Sequence, residues 1–140
     1  MNKEQWSYVA GFLDGEGHIL VQIKKAKSAW GKFCYVVVPY IYLTQKDTHV
    51  LFKIKEFLES EGITSGVYCK DKKNNTHRLM ISNWKNVIPF VNNTLPYSIV
   101  KKYDLLKVLD MRRMKDKHTA NDIKKILGTV DYGNTIRNIK

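Results

Sequence analysis

The residues of this chain whose types and spacing best suit chemistry lie in one stretch, Val9-Ala10-Gly11-Phe12-Leu13-Asp14-Gly15-Glu16-Gly17. Two carboxylates, Asp14 and Glu16, are interleaved with glycines at positions 11, 15 and 17. Trp6, Val9, Ala10 and Leu13 repeat at helical intervals and predict a helix over 4–14. Tyr8 and Phe12 add a second apolar face, so burial all round is expected. Gly11 and Gly15 fall one turn apart on that helix. Glycine in a helix costs about 1 kcal/mol against alanine. Close approach of a second helix backbone is a reason to place two on one face. The two acids sit where the helix macrodipole disfavours negative charge, by about 0.3–1 kcal/mol each. A local preference overridden in this way often marks a functional site. If two copies of the helix pack across a two-fold axis, their Glu16 carboxylates approach and repel unless cations sit with them. Hard oxygen donors of that kind suit Mg²⁺. The plainer alternative is a glycine-rich helix end carrying solvated acids.

Other chemistries find little support. Cys34 and Cys69 fit neither a zinc spacing nor a C-x-x-C pair and are expected to be buried or half-buried free thiols. The histidines at 18, 49, 77 and 118 are scattered. No apolar run approaches the roughly 20 residues of a membrane helix, so no membrane partner is expected. The N-terminus lacks a signal-peptide apolar region, which predicts an intracellular protein. Lys and Arg number 24 against 13 Asp and Glu, a net charge of +11 in 140 residues. Such an excess on a folded domain points to a polyanionic partner, nucleic acid first.

The elements that must position these residues follow from periodicity. Residues 17–26 alternate as a strand, with Ile19, Val21 and Ile23 on one face. Residues 33–44 form a second strand, expected to be interrupted or weakly paired at Pro39. Asp47 or Thr48 caps a helix with the stripe Val50, Leu51, Ile54, Phe57 and Leu58, and Gly62 ends it. Residues 66–71 and 76–82 make a hairpin, and a short helix runs from Trp84 to Val91. Ser98 is expected to start another helix with Ile99, Tyr103, Leu106 and Leu109 on one face. Thr119 and Asp122 predict a last helix carrying Ile123, Ile126 and Leu127; residues Gly133 to Lys140 are expected to fray. The order predicts a single α+β domain over 1–140, one sheet backed by helices.

Against this order the motif resembles that of the LAGLIDADG homing endonucleases. Ala10, Gly11, Leu13, Asp14, Glu16 and Gly17 match it by letter, charge or apolar character. The resemblance extends through Gln22-Ile23-Lys24, Leu43-Thr44-Gln45-Lys46, Ile81-Ser82-Asn83-Trp84 and Lys101-Lys102-Tyr103-Asp104-Leu105. It implies an α-β-β-α-β-β-α fold with a saddle-shaped antiparallel sheet. With one motif per chain it also implies a homodimer joined through Tyr8, Gly11, Phe12 and Gly15. The partner implied is double-stranded DNA, with no small-molecule substrate. Glu16, aided by the Gly15 carbonyl, is implied to hold Mg²⁺ or Mn²⁺. Gln45 is implied to order water at the scissile phosphate, although a hydrogen bond at the start of the next helix is an equal alternative. Lys101, or Lys102 if the register slips by one, is implied to meet the charge that builds on the phosphate. The activity implied is metal-assisted cleavage of both strands across the minor groove, leaving short 3′ overhangs. RNA-binding maturases and non-cleaving regulators of the same fold are the rival readings, and the acid at position 16 favours the nuclease.

The strand reading points to DNA on its own terms. The face turned from the helices carries Gln22, Lys24, Tyr40, Tyr42 and Thr44, and the hairpin adds Tyr68, Lys70, Lys72, Thr76, Arg78 and Met80. The turn between the first two strands supplies Lys25, Lys27, Trp30 and Lys32. Lys and Arg match guanine edges and Gln matches adenine, and these surfaces hold almost no acids.

Overall fold

The computed structural model describes residues 2–27, 31, 33–112 and 136–137. Helix α1 spans Lys3–Glu16, followed by strands β1, Gly17–Lys27, and β2, Phe33–Gln45. Helix α2 covers Thr48–Ser60, strands β3 and β4 cover Gly66–Asp71 and Thr76–Ser82, and α3 covers Trp84–Thr94. A 3-10 turn at Leu95–Tyr97 leads to α4, Lys102–Met111. A two-residue strand, β5, lies at Ile136–Arg137. The strand order is β3-β4-β2-β1-β5. The four long strands pair antiparallel. β5, in the tail expected to fray, pairs parallel with Val21 and Gln22.

One face of the sheet is dry. Ile19, Val21, Ile23, Val37, Ile41, Leu43, Leu79 and Ile81 meet Val9 and Leu13 of α1, Leu51, Ile54 and Leu58 of α2, Phe90 of α3 and Leu105 of α4. Each such side chain contributes about 1.5–3 kcal/mol when fully buried. The α2 stripe is as the spacing predicts, with Asp47 capping it by accepting from the His49 amide at 2.9 Å. Gly62 stops it with φ +75°, a left-handed conformation that costs a side chain but not a glycine.

Pro39 does not interrupt β2. It stays in register with Val21, while the β2–β4 ladder begins only at Tyr40. Residues two apart in a strand direct their backbone groups to the same edge, so the donor Pro39 lacks falls where β4 has not begun to pair. The Val37 carbonyl on that edge accepts instead from the Trp84 indole at 3.1 Å.

Three further expectations are corrected. α1 buries Trp6, Val9, Ala10 and Leu13 but is not buried all round, since Tyr8 and Gly11 are exposed. The helix expected from Ser98 starts at Lys102, and it buries Leu105, Val108 and Met111. The apolar face read from the sequence is not the one that packs: Ile99, Tyr103 and Leu106 are exposed, and Leu109 is half-buried. Two apolar stripes of equal spacing compete in this segment, and packing selects the second. Cys69 is exposed rather than buried. The helix expected after Thr119 lies outside the described residues, as does the side chain of Cys34.

Candidate active site

α1 begins with a capping box that the sequence reading missed: Asn2 accepts from the Gln5 amide at 2.9 Å, and the Gln5 side chain accepts from the Asn2 amide at 3.0 Å. The helix then runs two residues past its predicted end, so that Gly15 and Glu16 are helical and both are exposed. At Gly17 the chain turns straight into β1. The Gly17 amide donates to the Leu13 carbonyl. A Cβ at Gly17 would lie 2.5 Å from Leu13 O and 2.9 Å from Leu13 Cα, backbone that cannot swing away. Gly17→Ala is therefore expected to destabilise the fold by about 1–3 kcal/mol through overpacking. A lowered urea midpoint at unchanged slope checks this. Gly11 and Gly15 differ, because a Cβ at either meets nothing within 4 Å. Nothing inside the described chain requires glycine there.

The two acids of the motif part company. Asp14 Oδ2 accepts from the Ile99 amide at 2.8 Å and Oδ1 from the Lys101 amide at 3.0 Å. Its charge, misplaced for α1, faces the N-terminal end of α4, where the macrodipole favours it. No spacing signal in the sequence announces this pairing. Glu16 is left as the solvent-facing acid of the motif. Lys101 is the N-cap residue of α4 and half-buried, whereas Lys102 is its first helical residue and exposed. The bond from Asp14 ties Lys101, not Lys102, to the end of α1. Gln45 ends β2 opposite His77, and its Oε1 accepts from the Lys46 amide at 2.9 Å. The Lys46 amide lies ahead of the α2 N-cap Asp47, so this bond does not cap the helix, and it leaves the Gln45 amide nitrogen to donate.

Donor chemistry at the α1 end fits a hard divalent cation: a solvent-facing carboxylate and the backbone oxygens of a helix terminus. Among the described residues no group of three or more His, Cys, Asp or Glu could hold a metal. A cation there would draw its remaining ligands from water, phosphate or a second chain, as Mg²⁺ commonly does.

Beside the motif the open sheet face carries a stacked ladder. The His18 and Tyr42 rings lie 6.3 Å apart, and those of Tyr42 and Tyr40 6.0 Å apart, both nearly parallel. Arg78 places its guanidinium 4.4 Å from the Tyr42 ring centre, with Nε donating to Thr44 Oγ1 at 3.4 Å. Lys24 donates to the Tyr40 hydroxyl at 2.7 Å. Burial, reinforced by Tyr68 and opposed by the adjacent Arg78, pushes the Tyr42 phenol above its ordinary range. Register aligns Thr44, Arg78 and Tyr68 on one rung and His18, Tyr42 and Met80 on the next. His18, Leu20, Tyr42, Thr44, Lys70 and Arg78 line a concavity of about 400 Å³. Gln22 is half-buried on the same face, and Lys72 and Thr76 belong to the β3–β4 hairpin. His18 was not among the sheet residues expected to bind, although its alternation in β1 could have placed it there. Trp30, Lys32 and the side chains of Lys25 and Lys27 lie outside the described residues. Among the described residues no helix is long and apolar enough to cross a membrane.

This arrangement, an antiparallel sheet with helices on one face and the motif helix ending at its margin, is shared by solved homing endonucleases. The crystal structure of the homing endonuclease I-CvuI in complex with its target matches with a TM-score of 0.69 at 17% identity, covering 98% of this chain and 88% of that one. The archaeal intron-encoded homing endonuclease I-Vdi141I, complexed with DNA, matches at 0.64 with 23% identity, over 97% of this chain and 90% of that one. The homing endonuclease I-TnaI matches at 0.64 and 23%, over 99% and 91%. The family model of the LAGLIDADG endonucleases matches residues 9–112, and the chain belongs to that family. No curated protein matches it.

Proposed function

We propose that this protein is a homing-type, site-specific DNA endonuclease that acts as a homodimer on a long pseudo-palindromic site and cuts both strands. The observation that carries this reading is the open face of α1. The helix that ends in Glu16 carries two glycines at which a Cβ would meet nothing within 4 Å among the described residues, and an exposed Tyr8, beside the half-buried Phe12. A second copy packing there through Tyr8, Gly11, Phe12 and Gly15 brings two Glu16 residues together and joins two sheet faces into one surface. Two chains of +11 carry +22.

Each part of the site then has a task. The aromatic ladder and Arg78, Lys24, Gln22, Thr44, Tyr68, Lys70 and Met80 meet base edges in the major groove, while lysines around the hairpin and the β1–β2 turn meet phosphates. Arg78 is pre-oriented by Tyr42 and Thr44, so little side-chain freedom is lost on binding. Glu16 and the Gly15 carbonyl hold a divalent cation, Mg²⁺ or Mn²⁺, which when bound supplies charge neutralisation and an acidified water. Lys101 meets the negative charge that builds on the phosphate. Gln45 donates its free amide to water at the scissile bond. Two such sites, related by the dimer axis, cut one strand each across the minor groove and leave short 3′ overhangs.

Incubation with a duplex library carrying a randomised site, in Mg²⁺ or Mn²⁺, followed by sequencing of the ends, tests this reading. Staggered cuts at one two-fold-related sequence are expected; random nicking or intact DNA in both metals overturns it. Affinity for the recovered site, measured in Ca²⁺, is expected to fall by about 10³–10⁵ between about 50 and 200 mM salt as counterions are released from six to ten phosphates. An affinity indifferent to salt removes the sheet-on-DNA arrangement.

A further inference from the structure

We propose that Asp14 is a positioning residue for the cleavage reaction, fastening the turn that carries Lys101 to the end of the helix that carries Glu16. The inference rests on the endonuclease reading above and concerns how its two charged groups are held together. Asp14 stands two residues before Glu16, on a helix whose next turn is stopped by Gly17. Its two oxygens take the amides of Ile99 and Lys101, 85 and 87 residues away in sequence. The turn has little anchorage of its own near Lys101. Ile99 and Val100 are 85% and 69% exposed, and Lys101 caps α4 with no side-chain hydrogen bond. The Lys101 carbonyl accepts from the Leu105 amide at 3.0 Å, so α4 starts from the residue that Asp14 holds. A lysine on a flexible four-carbon stem meets a phosphate reproducibly only if its backbone is fixed. An asparagine cannot replace the clamp. It offers one carbonyl oxygen to two amides and turns its own NH₂ donors toward a donor.

The test uses the full chain and the duplex recovered from the library, with wild type, Asp14→Asn, Lys101→Met and the double variant. Single-turnover cleavage in Mg²⁺, DNA affinity in Ca²⁺ and amide exchange at residues 99 and 101 are measured on each. Asp14→Asn is expected to slow cleavage about tenfold to a hundredfold, the cost of misplacing a group by roughly 1 Å. Affinity is expected to stay within about twofold, while the Ile99 and Lys101 amides exchange faster. In the Lys101→Met background the same change is expected to slow cleavage by less than about twofold, because the group being positioned is gone. Equal slowing in both backgrounds, or unchanged amide exchange, overturns the proposal. Asp14→Glu keeps the charge while moving the oxygens, and covers the case in which the asparagine variant does not fold. It is expected to slow cleavage with the same dependence on Lys101, and slowing that ignores Lys101 overturns the proposal. A wild type that leaves the randomised library intact in both Mg²⁺ and Mn²⁺ overturns the endonuclease reading and the catalytic purpose of the clamp with it. Normal cutting with additive variants overturns the clamp alone.

Discussion

Glu16→Gln is expected to abolish DNA cleavage while leaving DNA binding intact. The substitution keeps the size of the side chain and removes the charge that a hard divalent cation requires. Several kcal/mol of transition-state stabilisation go with that ion. At about 1.4 kcal/mol per factor of ten, the loss is on the order of a thousandfold or more. Glu16 is exposed at the end of α1, so the fold does not depend on it. Removing two negative charges from the DNA-facing side of a dimer lowers repulsion, and affinity is expected to hold or rise. Gln45→Ala and Lys101→Ala are expected to slow cutting less completely, since each leaves the proposed cation ligand Glu16 in place. A gel shift and a cleavage assay on the same preparations decide the matter. Near-wild-type cutting by Glu16→Gln would show that the cation is held elsewhere.

Gly11→Leu is expected to convert the dimer to a monomer without unfolding the chain. Within a helix leucine is favoured over glycine by up to about 1 kcal/mol, and a Cβ at position 11 touches nothing within 4 Å. The variant chain should therefore be at least as stable as a monomer of the wild type. The penalty falls on the two-fold contact, where a leucine on each helix forces the backbones apart. Light scattering at micromolar concentration should read one chain of 16.3 kDa for the variant and twice that mass for the wild type. Circular dichroism should show the helices retained. Cleavage of both strands should disappear with the dimer, since the proposed mechanism assigns one strand to each active site. A Gly11→Leu protein that remains dimeric would place the interface on another surface. The contrast with Gly17→Ala is instructive: that glycine is demanded by the Leu13 backbone of its own chain, so its loss acts on folding and not on assembly.

The sequence by itself determined the order and kind of the elements as far as α3, the dry face of the sheet, the α2 stripe and the position of Glu16 at a helix end. These are local properties. A side chain's place on a helix or strand follows from a period of 3.6 or 2, and burial of one face writes that period into the residues. The motif was legible for a related reason, since glycines inside a helix contradict local propensity and stand out against it. The tertiary structure alone decided the rest. The second face of α1 is as apolar in sequence as a buried one, yet among the described residues Tyr8 is exposed and Phe12 only half-buried, because nothing in a periodicity says which surface covers a stripe. α4 offered two stripes, and the choice of Leu105, Val108 and Met111 came from packing against the sheet and the neighbouring helices. Pro39 reads as a break in a strand until the strand order shows that β4 begins pairing only at Tyr40. The sharpest case is Asp14, which in sequence is an acid at the wrong end of a helix and in the fold is bound to amides 85 and 87 residues away. Backbone amides have no sequence signature, since every residue but proline carries one. Which of them a carboxylate meets is settled only when long-range packing brings two helix ends together.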